Sequence, residues 1–156
     1  MFWLFLHRWK MKKQYINNKS SIPYYLNKIL IISAIIIFFA SLEALDMAKS
    51  PALFSKYISI YPNSSFNEFI NYVLINYFTT ILEPVIIALF SFFTYKKFSI
   101  NWVYKLFFGG MVLIRAILLF LKLNTGSPYY YIIIVLYLIY FVIIVTIKNT
   151  KRKENA

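Results

Sequence analysis

Four long runs of apolar residues, parted by short polar and basic stretches, set the pattern of this chain. They cover 29–48, 67–95, 102–121 and 129–147, and each is close to the roughly 20 residues with which a helix crosses a bilayer. The second, opening at Phe66 or Phe69, is long enough to tilt. Lys28 and Lys49 bound the first run, Lys96 and Lys97 close the second, and Asn124, Gly126 and Pro128 make a tight turn between the third and fourth. Between the first two, residues 50–65 hold Pro51, Pro62 and the turn-prone YPNSS, with a short interfacial helix predicted from Leu53 to Ile60. The pattern predicts an all-α fold, an integral membrane four-helix bundle spanning 29–147. An N-terminal segment, 1–28, precedes it, and a basic tail, 148–156, follows.

Composition strengthens this reading. Of 156 residues 61% are hydrophobic and only 14% charged, well below the quarter expected of a soluble domain. The net charge of +12 would suit a nucleic-acid binder if it formed one soluble face, but the basic residues cluster at the ends of the apolar runs, so nucleic acid is not an expected partner. Six Lys or Arg lie up to Lys28, Lys96 and Lys97 fill the second connection with Lys105 nearby, and four occupy the tail. The opposite side holds only Lys49, Lys56 and Lys122. By the positive-inside rule both termini are cytoplasmic. The segment MFWLFLHRWKMKK is expected either to lie along the cytoplasmic interface, with Trp3 and Trp9 at headgroup depth, or to precede a true start at Met11. Abundant Ile, Lys, Asn, Tyr and Phe, whose codons are AT-rich, point to a bacterial plasma membrane.

Several chemistries fall away. With no cysteine there is no disulfide, thiol relay or cysteine metal site, and the single His7 lies in the basic N-terminal segment. No metal and no cofactor is expected. The tyrosine-rich YYYIIIVLYLIYFVIIV reads as a tyrosine-belted span.

Charges inside the runs are the informative exceptions. Counted at about 1.5 Å per residue from the cytoplasmic ends at Lys28, Lys96 and Asn101, Glu43, Glu83 and Arg115 all lie roughly 20 to 23 Å in. An unpaired charge at such depth costs about 2.5 to 3.5 kcal/mol on insertion scales, so pairing is expected: a salt bridge in which the Arg115 fork meets Glu83 across adjacent helices. Asp46, three residues after Glu43, shares its helix face further out. Two deep carboxylates against one deep cation leave Glu43 either protonated or holding a cation. Pro84 cannot donate a backbone hydrogen bond and frees the carbonyl of Thr80, predicting a kink beside Glu83 whose loosened turn the Thr79 and Thr80 hydroxyls satisfy. Gly109 and Gly110 are expected to allow close backbone approach.

The order of these landmarks resembles the phosphate-starvation-inducible PsiE family: Glu83 in ILEPVIIALF, Arg115 in MVLIRAILLF, Ser127 with Pro128, and the final KNTKRKE. The likeness covers about Ile29 to Glu154. The turn after Arg115 is longer than in the family, and Pro84 departs from its pattern. Membership implies four helices and a stress-response setting, with no defined biochemical activity; phosphate binding does not follow from it.

Three functional classes remain open. The first is a bundle of PsiE-like type acting in the lipid bilayer with a second copy of itself or another membrane protein, its charge layer structural. The second is a proton- or cation-coupled transport or channel component using Glu43, Glu83 and Arg115. The third is an immunity protein guarding a membrane against a toxin. An enzyme is not expected, because Glu43, Asp46 and Glu83 have nothing beside them to complete a catalytic site.

Overall fold

The computed structural model describes residues 23–94, 102–121 and 127–147. The expectations for the N-terminal segment, for Lys96 and Lys97, for the turn at Asn124 and for the basic tail lie outside them.

The described chain is all-helical: α1 (Tyr24–Lys49), α2 (Pro51–Ile60), α3 (Phe66–Thr94), α4 (Trp102–Leu121) and α5 (Pro128–Thr146). All but α2 are long and apolar enough to cross a membrane. Local chemistry sets the boundaries. Helix α1 begins at Tyr24 and not at 29, because the backbone turns helical directly after Pro23, whose carbonyl accepts from Leu26 and Asn27. The apolar run that defines a span starts later than the helix itself. In α2, Pro51 occupies the first turn and the Ser50 hydroxyl accepts from the Leu53 backbone, so the helix starts before the predicted Leu53. Helix α3 opens on a capping box that places its first residue at Phe66. The Ser65 backbone N–H donates to Glu68 Oε2 at 2.7 Å, while the Glu68 N–H donates to the Ser65 hydroxyl at 3.3 Å.

Core positions alternate three and four residues apart, the spacing of a near-parallel helix seam. On α1 the seam is Leu26, Ile29, Ser33, Ile36, Ala40, Glu43 and Met47, with Ile32 buried beside it; on α5 it is Tyr130, Ile133, Tyr137, Tyr140 and Ile144, with Ile134 beside it. Glu43 thus occupies a core position between Ala40 and Met47. Helix α1 packs along both α3 and α5, and α5 along α4, whereas α3 and α4, although consecutive, touch at few points. The four form an up-and-down ring with one loose edge. That edge is closed near the chain-terminal end, called here the base, by Ser91 and Tyr104 hydroxyls 2.6 Å apart and by Phe90 against Phe108 at 5.0 Å. At the opposite end, the cap, α2 covers Met47, Phe69 and Val73 with Leu53, Phe54 and Tyr57.

Tyrosine hydroxyls stitch the ring together. Tyr140 meets Ser33 at 2.9 Å, Tyr77 meets Ser41 at 3.1 Å, and the Tyr130 hydroxyl donates to the Leu119 carbonyl. Tyr137 and Tyr140 are fully buried. This corrects the reading of the α5 tyrosines as a belt: Tyr130, Tyr137 and Tyr140 face inward, where each phenol has a partner, and Tyr131 on the same helix is exposed. The glycines also divide. A Cβ on Gly109 would meet Val145, Ile144 and Phe141 of the α5 segment at ordinary contact distances, while Gly110 faces open space. Of the two, only Gly109 lies at a helix contact.

Candidate charged vestibule

Helix α3 carries Tyr72, Asn76 and Thr80 four residues apart, one polar stripe along its length. The stripe faces a cavity of about 440 Å³ at the cap end, which Glu43 of α1, Arg115 of α4 and Tyr130 of α5 also line. Lys56 of α2 stands at its mouth, and Leu118, Leu119 and Leu121 make an apolar wall. The cavity exists because α3 and α4 separate above their base-end contacts.

Thr80 is the node of this site. Its hydroxyl donates to the Asn76 carbonyl at 2.9 Å and accepts from Arg115 Nη2 at 3.0 Å. Its carbonyl, the one Pro84 leaves without a backbone donor, accepts instead from the Tyr137 hydroxyl at 2.7 Å. A residue on the fourth long helix therefore repairs the gap, and not the local threonines: Thr79 Oγ1 donates one turn back, to Ile75. Helix α3 runs unbroken through the buried Pro84.

The charges converge without touching. Arg115 is within electrostatic reach of both Glu43 and Glu83. Yet no salt bridge forms among the described residues, and the bidentate Arg115–Glu83 pair is not present. One oxygen of Glu83 and the Nε of Arg115 are buried without a hydrogen-bond partner. The reason is geometric. The guanidinium reaches toward the cap to Thr80, one turn from Glu83, and the loose α3–α4 edge keeps the two backbones apart. Glu43, only 8% exposed, borders the cavity, and Asp46, one turn further toward the cap, is exposed. Ser127, the residue capping α5, keeps its hydroxyl buried and unpartnered, while Pro128 takes the first helical position.

The missing direct contact has a measurable consequence. Exchanging the charges, Glu83→Arg with Arg115→Glu, will fold no better than the more damaging single change, with a coupling below about 1 kcal/mol in detergent unfolding. Recovery close to wild type would mean that the pair forms after all.

Among the described residues no cluster of acids and histidines could hold a metal ion. Asn76, Tyr130 and Tyr137 join the site without having been singled out from the sequence; the period-four stripe on α3 is the signal that would have found Asn76. Searches against protein-family models, curated proteins and solved structures found no match to this chain. Fold and site define the class by themselves: an all-helical chain with four helices fit to cross a membrane around an off-centre charged cavity.

Proposed function

We propose that this is a small multi-pass protein of the bacterial plasma membrane, both termini cytoplasmic, acting as a proton- or cation-coupled transport component. The cavity is its outward-facing vestibule. Orientation rests on the Lys and Arg that the sequence carries before α1, between α3 and α4 and after α5, against the sparse Lys49, Lys56 and Lys122 of the other connections. Exposed Ile75, Phe93 and Leu121 then face lipid. The fold remains compatible with a PsiE-like architecture in a stress-response setting.

One observation carries the transport reading: Glu43 and Arg115, opposite in charge, border one open cavity without pairing, and Glu83 lies one turn below Thr80 with a carboxylate oxygen free. A purely structural layer would be expected to close its charges on each other, since a charge in a membrane interior is stabilised by its partner. In the proposed mechanism a proton or cation enters from the outer side, neutralises Glu43 and passes to Glu83. Arg115, held by Thr80, remains as the fixed countercharge. Toward the cytoplasm the path is closed by Tyr104 and Phe108 and by the Ser33–Tyr140 contact, the arrangement of an outward-facing state.

Proton flux in proteoliposomes tests this. Wild type will dissipate an imposed proton or cation gradient, and Glu83→Gln will lower the rate at least about a hundredfold, as expected when an obligatory proton carrier is removed. Glu43→Gln will lower it less, because Asp46 stands nearby. Absence of flux from wild type for protons and for alkali cations would end the transport reading.

A further inference from the structure

We propose that the vestibule binds a small zwitterion, its ammonium group on Glu43 and its oxyanion on Arg115. The inference deepens the transport reading by naming the substrate class of the same cavity, and it rests on that cavity being open to the outer side.

The cavity has two ends of opposite character. At one end Glu43 is nearly buried. The Tyr130 hydroxyl, within electrostatic reach of Glu43, already spends its proton on the Leu119 carbonyl, so its remaining lone pair can only accept. Glu43 itself makes no hydrogen bond among the described residues. A carboxylate beside a phenol oxygen that can only accept suits a donor with several N–H groups, which an ammonium supplies. At the other end Arg115 is fixed by its Nη2 bond to Thr80, and Lys56 adds a second positive charge at the mouth. Neither cation has a carboxylate bonded to it among the described residues, which suits an oxyanion.

The coupling ion of the transport reading needs Glu43 alone, but an organic ligand that carries one charge leaves the other end of the cavity unanswered. A molecule carrying both charges satisfies both ends and bridges the gap that the scaffold holds open. At about 440 Å³ the cavity has the size of a small-molecule site. Its apolar wall of Leu118, Leu119 and Leu121 has room for a short methylene chain.

The same chemistry could arrive as a free solute or as the headgroup of a zwitterionic phospholipid entering at the loose α3–α4 edge. A series of ω-amino acids measures the gap directly: glycine, β-alanine, γ-aminobutyrate and ε-aminocaproate, titrated calorimetrically into the purified full chain in a non-ionic detergent. One length will bind best, at least about tenfold tighter than butylamine or butyrate, which carry one charge each. Glu43→Gln and Arg115→Gln will each remove that preference. Because the comparison among ligands uses wild-type protein, it survives a variant that fails to fold. Repeating the titration in nanodiscs of phosphatidylethanolamine and of phosphatidylglycerol separates the sources. Weaker binding in the former means the headgroup occupies the site; equal binding means a free solute does. Either result supports the zwitterion site. No binding by any of the series together with no retained phosphatidylethanolamine in native mass spectrometry, or binding no tighter than the single-charge ligands, overturns it. Binding without flux would instead remove the transport reading and leave this site standing, and flux without binding would do the reverse.

Discussion

Replacing Arg115 with methionine will destabilise the protein by about 3 kcal/mol, and adding Glu43→Gln and Glu83→Gln will recover most of the loss. The size is the lower end of what breaking a buried charge arrangement costs, chosen because Arg115 is only half-buried and pairs with neither acid directly. Its field nonetheless reaches both carboxylates, and among the described residues the remaining cation at the cavity, Lys56, is exposed at the mouth. About 1 kcal/mol of this is the lost Nη2 donor to Thr80, a part the triple variant does not recover. Methionine keeps the length and apolar stem of the side chain, so packing changes little. Unfolding in detergent of the single and triple variants provides the check. A triple variant no more stable than Arg115→Met would show that the three charges do not act on one another.

Tyr137→Phe will cost about 1 to 3 kcal/mol, and the cost will shrink when Pro84 is replaced by alanine. Tyr137 is fully buried and its hydroxyl is the donor to the Thr80 carbonyl. Without that hydroxyl an acceptor is left buried and unsatisfied, because Pro84 has no N–H to offer it. Alanine at 84 restores the backbone donor four residues on, so Tyr137→Phe in that background removes a second, replaceable bond. The double-mutant cycle will therefore be non-additive by roughly 1 to 2 kcal/mol. Additive costs would mean that Tyr137 stabilises the helix pair by something other than the carbonyl Pro84 exposes. The Arg115–Thr80 bond makes the cycle functional as well as structural, since a loosened Thr80 turn would shift the guanidinium.

How far the sequence discloses all this depends on which physical signal each feature leaves. The four long helices follow from apolar length alone, and α2 from the prolines and turn residues around it. The gathering of Glu43 and Arg115 at one cavity follows from depth counting, because helical rise is uniform whatever the side chains; Glu83, counted to the same level, does not line it. What depth cannot supply is rotation about each helix axis. In a chain whose lipid-facing and core-facing residues are both apolar, hydropathy does not distinguish the two faces, so Tyr137 and Tyr140 pass for belt residues. Their inward position is written only in the three-and-four spacing of Tyr130, Ile133, Tyr137, Tyr140 and Ile144. The missing salt bridge has the same origin. Glu83 and Arg115 share a depth, but how closely their helices pack is a property of the ring, and here α3 and α4 meet at its loose edge. Consecutive helices usually pack together, and α3 and α4 largely do not.

The vestibule is the central claim, and a chain without cysteine offers a direct way to test it. Single replacements Asn76→Cys and Tyr72→Cys place a thiol on the cavity stripe, while Ile87→Cys places one below it in the closed base half. Thiols react as thiolates, which form readily only where water reaches them. A membrane-impermeant thiol reagent added outside intact cells will modify the thiols at 72 and 76 at least about tenfold faster than the thiol at 87, and preincubation with the best-fitting ω-amino acid will slow the reaction at 76. Equal rates at all three positions, or modification at 76 only after the reagent is admitted to the cytoplasmic side, would contradict an outward-open charged cavity.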